Sequence, residues 1–297
     1  MLRMRHNQPD VLRNRTCCYC HVELNEATAT KEHVVARRFV PKGSLDRSWN
    51  LILRACQRCN GEKSDLEDDL ALISLQHYPF GSDAERDASV RECLAKATRA
   101  FSRRSRKPVS ESHETSKLEL PLGPGGTMSV EMISPPQLDD DRAFRLANLQ
   151  ATAFFYGLTY DEASATGRLW PDGGFFTVDV QPRSDWGNHV QLWFMNAVAE
   201  WRPRVIGSFA NDFFRVAIRK HPDEYFWSCA FEWNQGFRIL AFIGERGVAA
   251  KIGQTVPPLF TENDIVVRAN NMITRYRNEV PLKSEDDRMF EINDTPP

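Results

Sequence analysis

The chain has 297 residues, 41% of them hydrophobic and 26% charged, and a formal net charge of −2. That balance is too apolar for a disordered chain and by length suggests about two folded domains. No apolar run approaches the ~20 residues of a membrane span, and residues 1–15 lack the apolar core of a secretion signal, so the expectation is a cytoplasmic protein with no membrane partner.

Charge is unevenly placed. Residues 1–120 carry 21 Lys+Arg against 17 Asp+Glu, and residues 121–297 carry 17 against 23. A surface for a polyanion such as DNA is therefore expected in the first part. Within it, residues 1–16 read as a basic arm and residues 17–77 as a compact unit rich in cysteine. Residues 78–107 follow as a basic helix, with Val90, Leu94, Ala97 and Phe101 roughly on one face. The Ser/Pro/Glu/Gly-rich passage 108–138 reads as a linker.

Residues 139–297 read as an α+β accessory or regulatory domain. A helix is expected over 140–158, opened by acidic residues, and a strand over 173–180. A helix over 189–201 and strands over 213–221 and 224–244 follow, the last broken by a turn at Asn234-Gln235-Gly236. Residues 263–278 read as a closing helix. Nothing here clusters into chemistry: His189 and His221 read as structural, and most of the six tryptophans of this region as core. A protein partner or a ligand is the expected use of this surface.

Five of the seven cysteines fall within the first 60 residues. Two Cys-x-x-Cys pairs, Cys17/Cys20 and Cys56/Cys59, are separated by 35 residues. A two-residue gap turns two thiolates onto one tetrahedral ion, and two such knuckles complete a four-sulfur structural zinc site. Cys18, in the same run, is an alternative to Cys17 as ligand; Cys93 and Cys229 read as ordinary buried thiols.

Between the knuckles stand Glu32-His33 before an apolar pair, a second strand at Asn50-Leu51-Ile52-Leu53, and a helix opening near Cys56 with Asn60 in its first turn and Lys63 one turn later. If the strands pair and the helix packs across them, Glu32, His33 and Asn60 converge. Glu32 and the Asn60 carboxamide offer oxygens to a hard divalent cation. His33, turned away from Glu32 by strand alternation, suits a general base near neutral pH.

That pattern over about residues 15–77 resembles the HNH (ββα-metal) endonucleases in their zinc-knuckle form. The resemblance implies a ββα-metal fold and cleavage of DNA with Mg²⁺ or Mn²⁺ beside the structural Zn²⁺, one strand at a time. It implies Glu32 and Asn60 as ligands of the catalytic cation, His33 as base, and Asn50 as the residue that clasps the loop and holds the base. Glu32 stands where Asp or His is commoner, and Ala36 where a proline commonly follows. A restriction or anti-phage role is what the resemblance suggests. The alternative is a catalytically inactive zinc-knuckle protein that binds nucleic acid or serves as a scaffold. Arg37, Arg38, Lys42, Arg54, Arg58, Lys63, Arg103 and Arg104 are the expected phosphate contacts.

Overall fold

Leu51, Ile52, Leu53 and Ala55 are all buried, so strand β3 (Leu51–Cys56) is covered on both faces. It lies at the centre of a three-stranded sheet between β1 (Asp10–Val11), which runs parallel to it, and β2 (Ala29–His33), which runs antiparallel. Helix α1 (Gln57–Gln76) leaves β3 without a connecting loop. The computed structural model describes residues 8–76, 138–170, 174–261, 264–269 and 272–291. Between 77 and 137 it describes Arg91, Ala95, 101–102, 107–108, Glu111, 114–121 and 126–134.

Most of the basic helix expected over 78–107 lies outside the described residues. At its end, Phe101–Ser102 (β4) pairs with Lys107–Pro108 (β5). The linker expected over 108–138 is corrected: Glu114–Pro121 (β6) and Thr127–Ser134 (β7) form an antiparallel hairpin. Alternation such as Leu118, Leu120, Met128, Val130 and Met132 supplies the strand period, which the turn-rich flanks disguise.

Helix α2 (Asp140–Leu158) begins at Asp139, whose carboxylate accepts the Arg142 amide hydrogen at 3.1 Å, with Asp140 and Asp141 in the first turn. Acids suit the positive end of the helix dipole. There follow β8 (Gly174–Pro182), α3 (His189–Ala197), β9 (Arg202–Phe209), β10 (Phe214–Lys220), β11 (Phe226–Trp233), β12 (Phe237–Gly244) and α4 (Arg246–Gly253). The five strands form one antiparallel sheet in the order β8-β12-β11-β10-β9. The β11–β12 turn falls at Asn234 and Gln235, which take φ of 52° and 55°, as a tight hairpin requires.

The closing helix expected over 263–278 is also corrected. Ile265–Ala269 (β13) pairs with Met272–Tyr276 (β14). The run Ile265-Val266-Val267 is β-branched, and those side chains favour strands over helices. No helix is long and apolar enough to cross a membrane, among the described residues.

Every residue of β11 and β12 is buried, so the sheet is covered on both sides. Phe226, Ala230, Leu240 and Phe242 pack on one side with Phe194, Val198, Val248, Met289 and Phe290. On the other side Trp227, Phe231, Trp233 and Ile239 share one core with α2 and with Val34, Phe39, Trp49 and Leu51 of the cysteine-bearing unit. The Trp49 ring lies 4.7 Å from Phe209, and Phe39 lies 5.4 Å from Trp233. Asn234 Nδ2 donates to the Phe39 carbonyl at 3.0 Å and to Ser74 Oγ at 2.7 Å. The larger sheet is thus the platform on which the ββα unit rests.

A chain ending near Gly126 should therefore fail to fold. It would expose Phe39 and Trp49, each fully buried side chain being worth about 1.5–3 kcal/mol, and would leave the Phe39 carbonyl and Ser74 Oγ without their Asn234 donor. Such a fragment is expected to be insoluble or to melt without a cooperative transition. A sharp calorimetric transition in the fragment would refute the shared core.

Candidate functional site

Cys17, Cys20, Cys56 and Cys59 bring their sulfurs within 4.8 Å of one another, and none forms a disulfide. A tetrahedral ion with Zn–S near 2.3 Å puts its sulfurs about 3.8 Å apart; Cys20 Sγ and Cys56 Sγ are 3.8 Å apart. Cys56 ends β3 and Cys59 sits in the first turn of α1, so one strand–helix junction supplies both. The Cys56 amide hydrogen is donated to Cys17 Sγ at 3.3 Å. Cys17 is held down at about 4, chiefly by a hydrogen bond from Cys18. Cys18 lies outside the cluster, and burial pushes its thiol well up. The ligand alternatives left open by the sequence thus narrow to Cys17. The four sulfurs fit a metal ion and are compatible with structural zinc.

Beside this cluster, β2 and the first turns of α1 enclose a cleft of about 490 Å³ whose lining includes Thr30, Glu32, His33 and Asn60. His33 ends β2, opposite Ile52. Its Nε2 is buried and has no hydrogen-bond partner among the described residues. Burial lowers its pKa below the ordinary 6.5, and the Lys31, Arg37 and Lys63 charges lower it further. The imidazole is therefore neutral at pH 7.

The loop after His33 is fixed by Asn50. Its Oδ1 accepts the Val35 amide hydrogen at 3.2 Å and its Nδ2 donates to the Val35 carbonyl at 2.8 Å. The orientation of Asn60 follows from a residue the sequence reading missed. Thr30 Oγ1 donates to the Ala55 carbonyl at 2.9 Å, so only its lone pairs remain to meet Asn60, and Asn60 Nδ2 donates to it at 2.9 Å. That bond takes one hydrogen of the amide nitrogen and orients the carboxamide, whose carbonyl oxygen stays available as an acceptor.

Glu32 also lines the cleft but is 2% exposed. Lys63 Nζ lies 2.9 Å from Glu32 Oε1 and 2.5 Å from Glu67 Oε1, and it donates to the His33 carbonyl at 3.0 Å. Burial pushes the Lys63 ammonium down, but Glu67 and Glu32 more than reverse this and hold it protonated. Burial pushes Glu67 up to about 7, against the pull of Lys63. Two carboxylates and one ammonium leave one net negative charge when all three are ionised.

Lys63 as a phosphate contact is a correction: at 1% exposure it reaches no polyanion, and it ties β2 to α1 instead. Arg37 is exposed at the mouth of the cleft, as is Lys31, which the sequence reading passed over. Arg38 lines the cleft and pairs with Asp68 at 2.7 Å. Lys42 is exposed and Arg54 is half-buried in β3. Arg58 stands beside Cys59 and Cys20, whose sulfurs raise its pKa. Arg103 and Arg104 lie outside the described residues. Thr30 and Lys31 carry a faint signal in sequence, since both fall on the strand that delivers Glu32 and His33.

Comparisons with models of known protein families, with curated proteins and with solved structures return no match. What this site can do rests on its own geometry.

Proposed function

We propose that the cleft between β2 and α1 hydrolyses DNA phosphodiester bonds with a divalent cation, in the manner of the HNH (ββα-metal) endonucleases that residues 15–77 resemble. The observation that supports this reading most is the His33 imidazole, its Nε2 without a hydrogen-bond partner among the described residues, on a residue that lines the same cleft as Glu32 and Asn60. Carboxylate and carboxamide oxygens of this kind suit a hard cation. Held there by Glu32 and Asn60, Mg²⁺ or Mn²⁺ would supply charge stabilisation to the phosphate.

The chain's own residues do the rest. His33 takes the proton of the attacking water, and Asn50 fixes the loop that follows it. Lys31 and Arg37 at the mouth hold the strand through its phosphates, which gives binding that weakens with salt and is indifferent to sequence. One such cleft handles one in-line displacement, so one encounter cuts one strand.

A second reading, a zinc-knuckle nucleic-acid-binding protein without catalysis, is favoured by one contact. The Lys63 ammonium occupies the Glu32 carboxylate that the cation needs.

Supercoiled plasmid with Mg²⁺ or Mn²⁺ decides between them. Open circle should appear before linear product, and chelator should stop it. Because the His33 pKa is lowered, the neutral base persists below pH 6.5. The acid limb of the rate profile should therefore lie below 6.5, and Arg37→Gln should move it upward. A folded, zinc-loaded protein that nicks nothing with either cation supports the second reading.

A further inference from the structure

A second concave site lies on the other part of the molecule, at the C-terminal end of α2 where β9, β10 and β11 meet. Its volume is about 340 Å³, within the range of small-molecule sites, ~300–1,000 Å³. Arg168, Arg204 and Lys220 line it together with Phe155, Tyr225 and Trp227, and no carboxylate does among the described residues. None of the three cations forms an ion pair with a described residue.

The arrangement is built by the sheet. Lys220 pairs with Trp227 across β10 and β11, and Trp227 points to the same side of the sheet as Ile218. On β9 the register shifts: Val205 opposes Ile218 while Pro203 opposes Arg219, so Arg204 has no opposite number. A bulge of this kind re-aims a side chain. In regular alternation Arg204 would face away from Val205; the bulge brings it into the cavity beside Lys220. Arg168 comes from the loop after α2. The dipole at the end of α2 amounts to roughly half a charge, too little to balance three cations.

Three aromatic rings share the lining. Tyr225 is 46% exposed, and no other tyrosine, phenylalanine or tryptophan side chain among the described residues is as open to solvent. Its ring meets Trp227 edge-on at 4.3 Å, and Trp227 meets Phe155 at 5.1 Å. A flat exposed ring beside unpaired cations is the combination that holds a base on one side and a phosphate on the other.

We propose that this cavity binds one nucleotide unit, its phosphate on Arg204, Lys220 and Arg168 and its base on Tyr225. The unit has two sources, a free mononucleotide or one residue of a single strand. This site is separate from the cleft at His33 and does not rest on its being a nuclease.

The test uses the full chain carrying His33→Ala, so that a strand stays intact, titrated with dAMP and with a short single-stranded oligonucleotide by calorimetry. Arg204→Ala combined with Lys220→Ala, and separately Tyr225→Ser, should each weaken binding about tenfold without moving the melting temperature. Weakened dAMP binding identifies the free ligand; weakened oligonucleotide binding alone identifies a strand. Folded variants that bind both probes as tightly as their parent, or a parent that binds neither, overturn the proposal.

Discussion

Replacing His33 with alanine is expected to reduce plasmid nicking by about 10²–10⁴-fold, the usual contribution of a general base. The fold should survive, because the side chain contributes little to it. The imidazole Nε2 has no hydrogen-bond partner among the described residues. What the position gives to the structure is its place in the β2–β3 ladder and its carbonyl, which accepts the Lys63 ammonium. Both belong to the backbone and remain in the variant. Melting temperature, zinc content and DNA affinity should therefore stay near wild type while the rate collapses. Wild-type nicking by the purified variant would show that another group takes the proton.

Cys59→Ser should release the metal and unfold the ββα unit together. A structural zinc in a small finger contributes about 10–16 kcal/mol, as much as the whole stability of a typical domain, ~5–15 kcal/mol. This unit has little to set against that loss. Its sheet has three strands, one of them two residues long. The cluster joins the Cys17–Cys20 knuckle to the β3–α1 junction, and no disulfide duplicates the link. Metal analysis should find about one zinc per wild-type chain and almost none in the variant, with loss of the cooperative melt. Cys18→Ala should keep its zinc, since Cys18 is outside the cluster. Well-folded Cys59→Ser protein with its metal in place would overturn the assignment.

The four-cysteine cluster was legible because ligand spacing is a local property: two residues between sulfurs suffice to aim them. The β11–β12 hairpin was legible for the same reason, since Asn234-Gln235-Gly236 states its own backbone geometry. Asn50 was placed by resemblance, and the structure shows the reciprocal hydrogen bonds that clasp the loop. What escaped depends on partners distant in sequence. Lys63 follows Glu62 in a polar helix start and reads as a solvated cation; only Glu32 on the neighbouring strand and Glu67 one turn on make its burial tolerable. Trp49 and Phe39 look like a private core until Phe209 and Trp233 arrive from the other end of the chain. The β13–β14 pair was misread because its apolar residues satisfy both periods, and the β-branched run had to decide.

The shared core also sets an order of events in synthesis. Asn234 follows Ser74, its hydrogen-bond partner, by 160 residues. At ~5–20 residues per second, about 8–32 s pass between their appearance during translation. Through that interval the ββα unit has its four cysteines, all within the first 59 residues, but not its platform. Metal capture can therefore precede docking, holding β3 and α1 together while the surface carrying Phe39 and Trp49 still waits for the sheet. The cleft gains its backing only when the larger sheet is complete, so a ribosome that stalls before β11 releases a chain without a finished site.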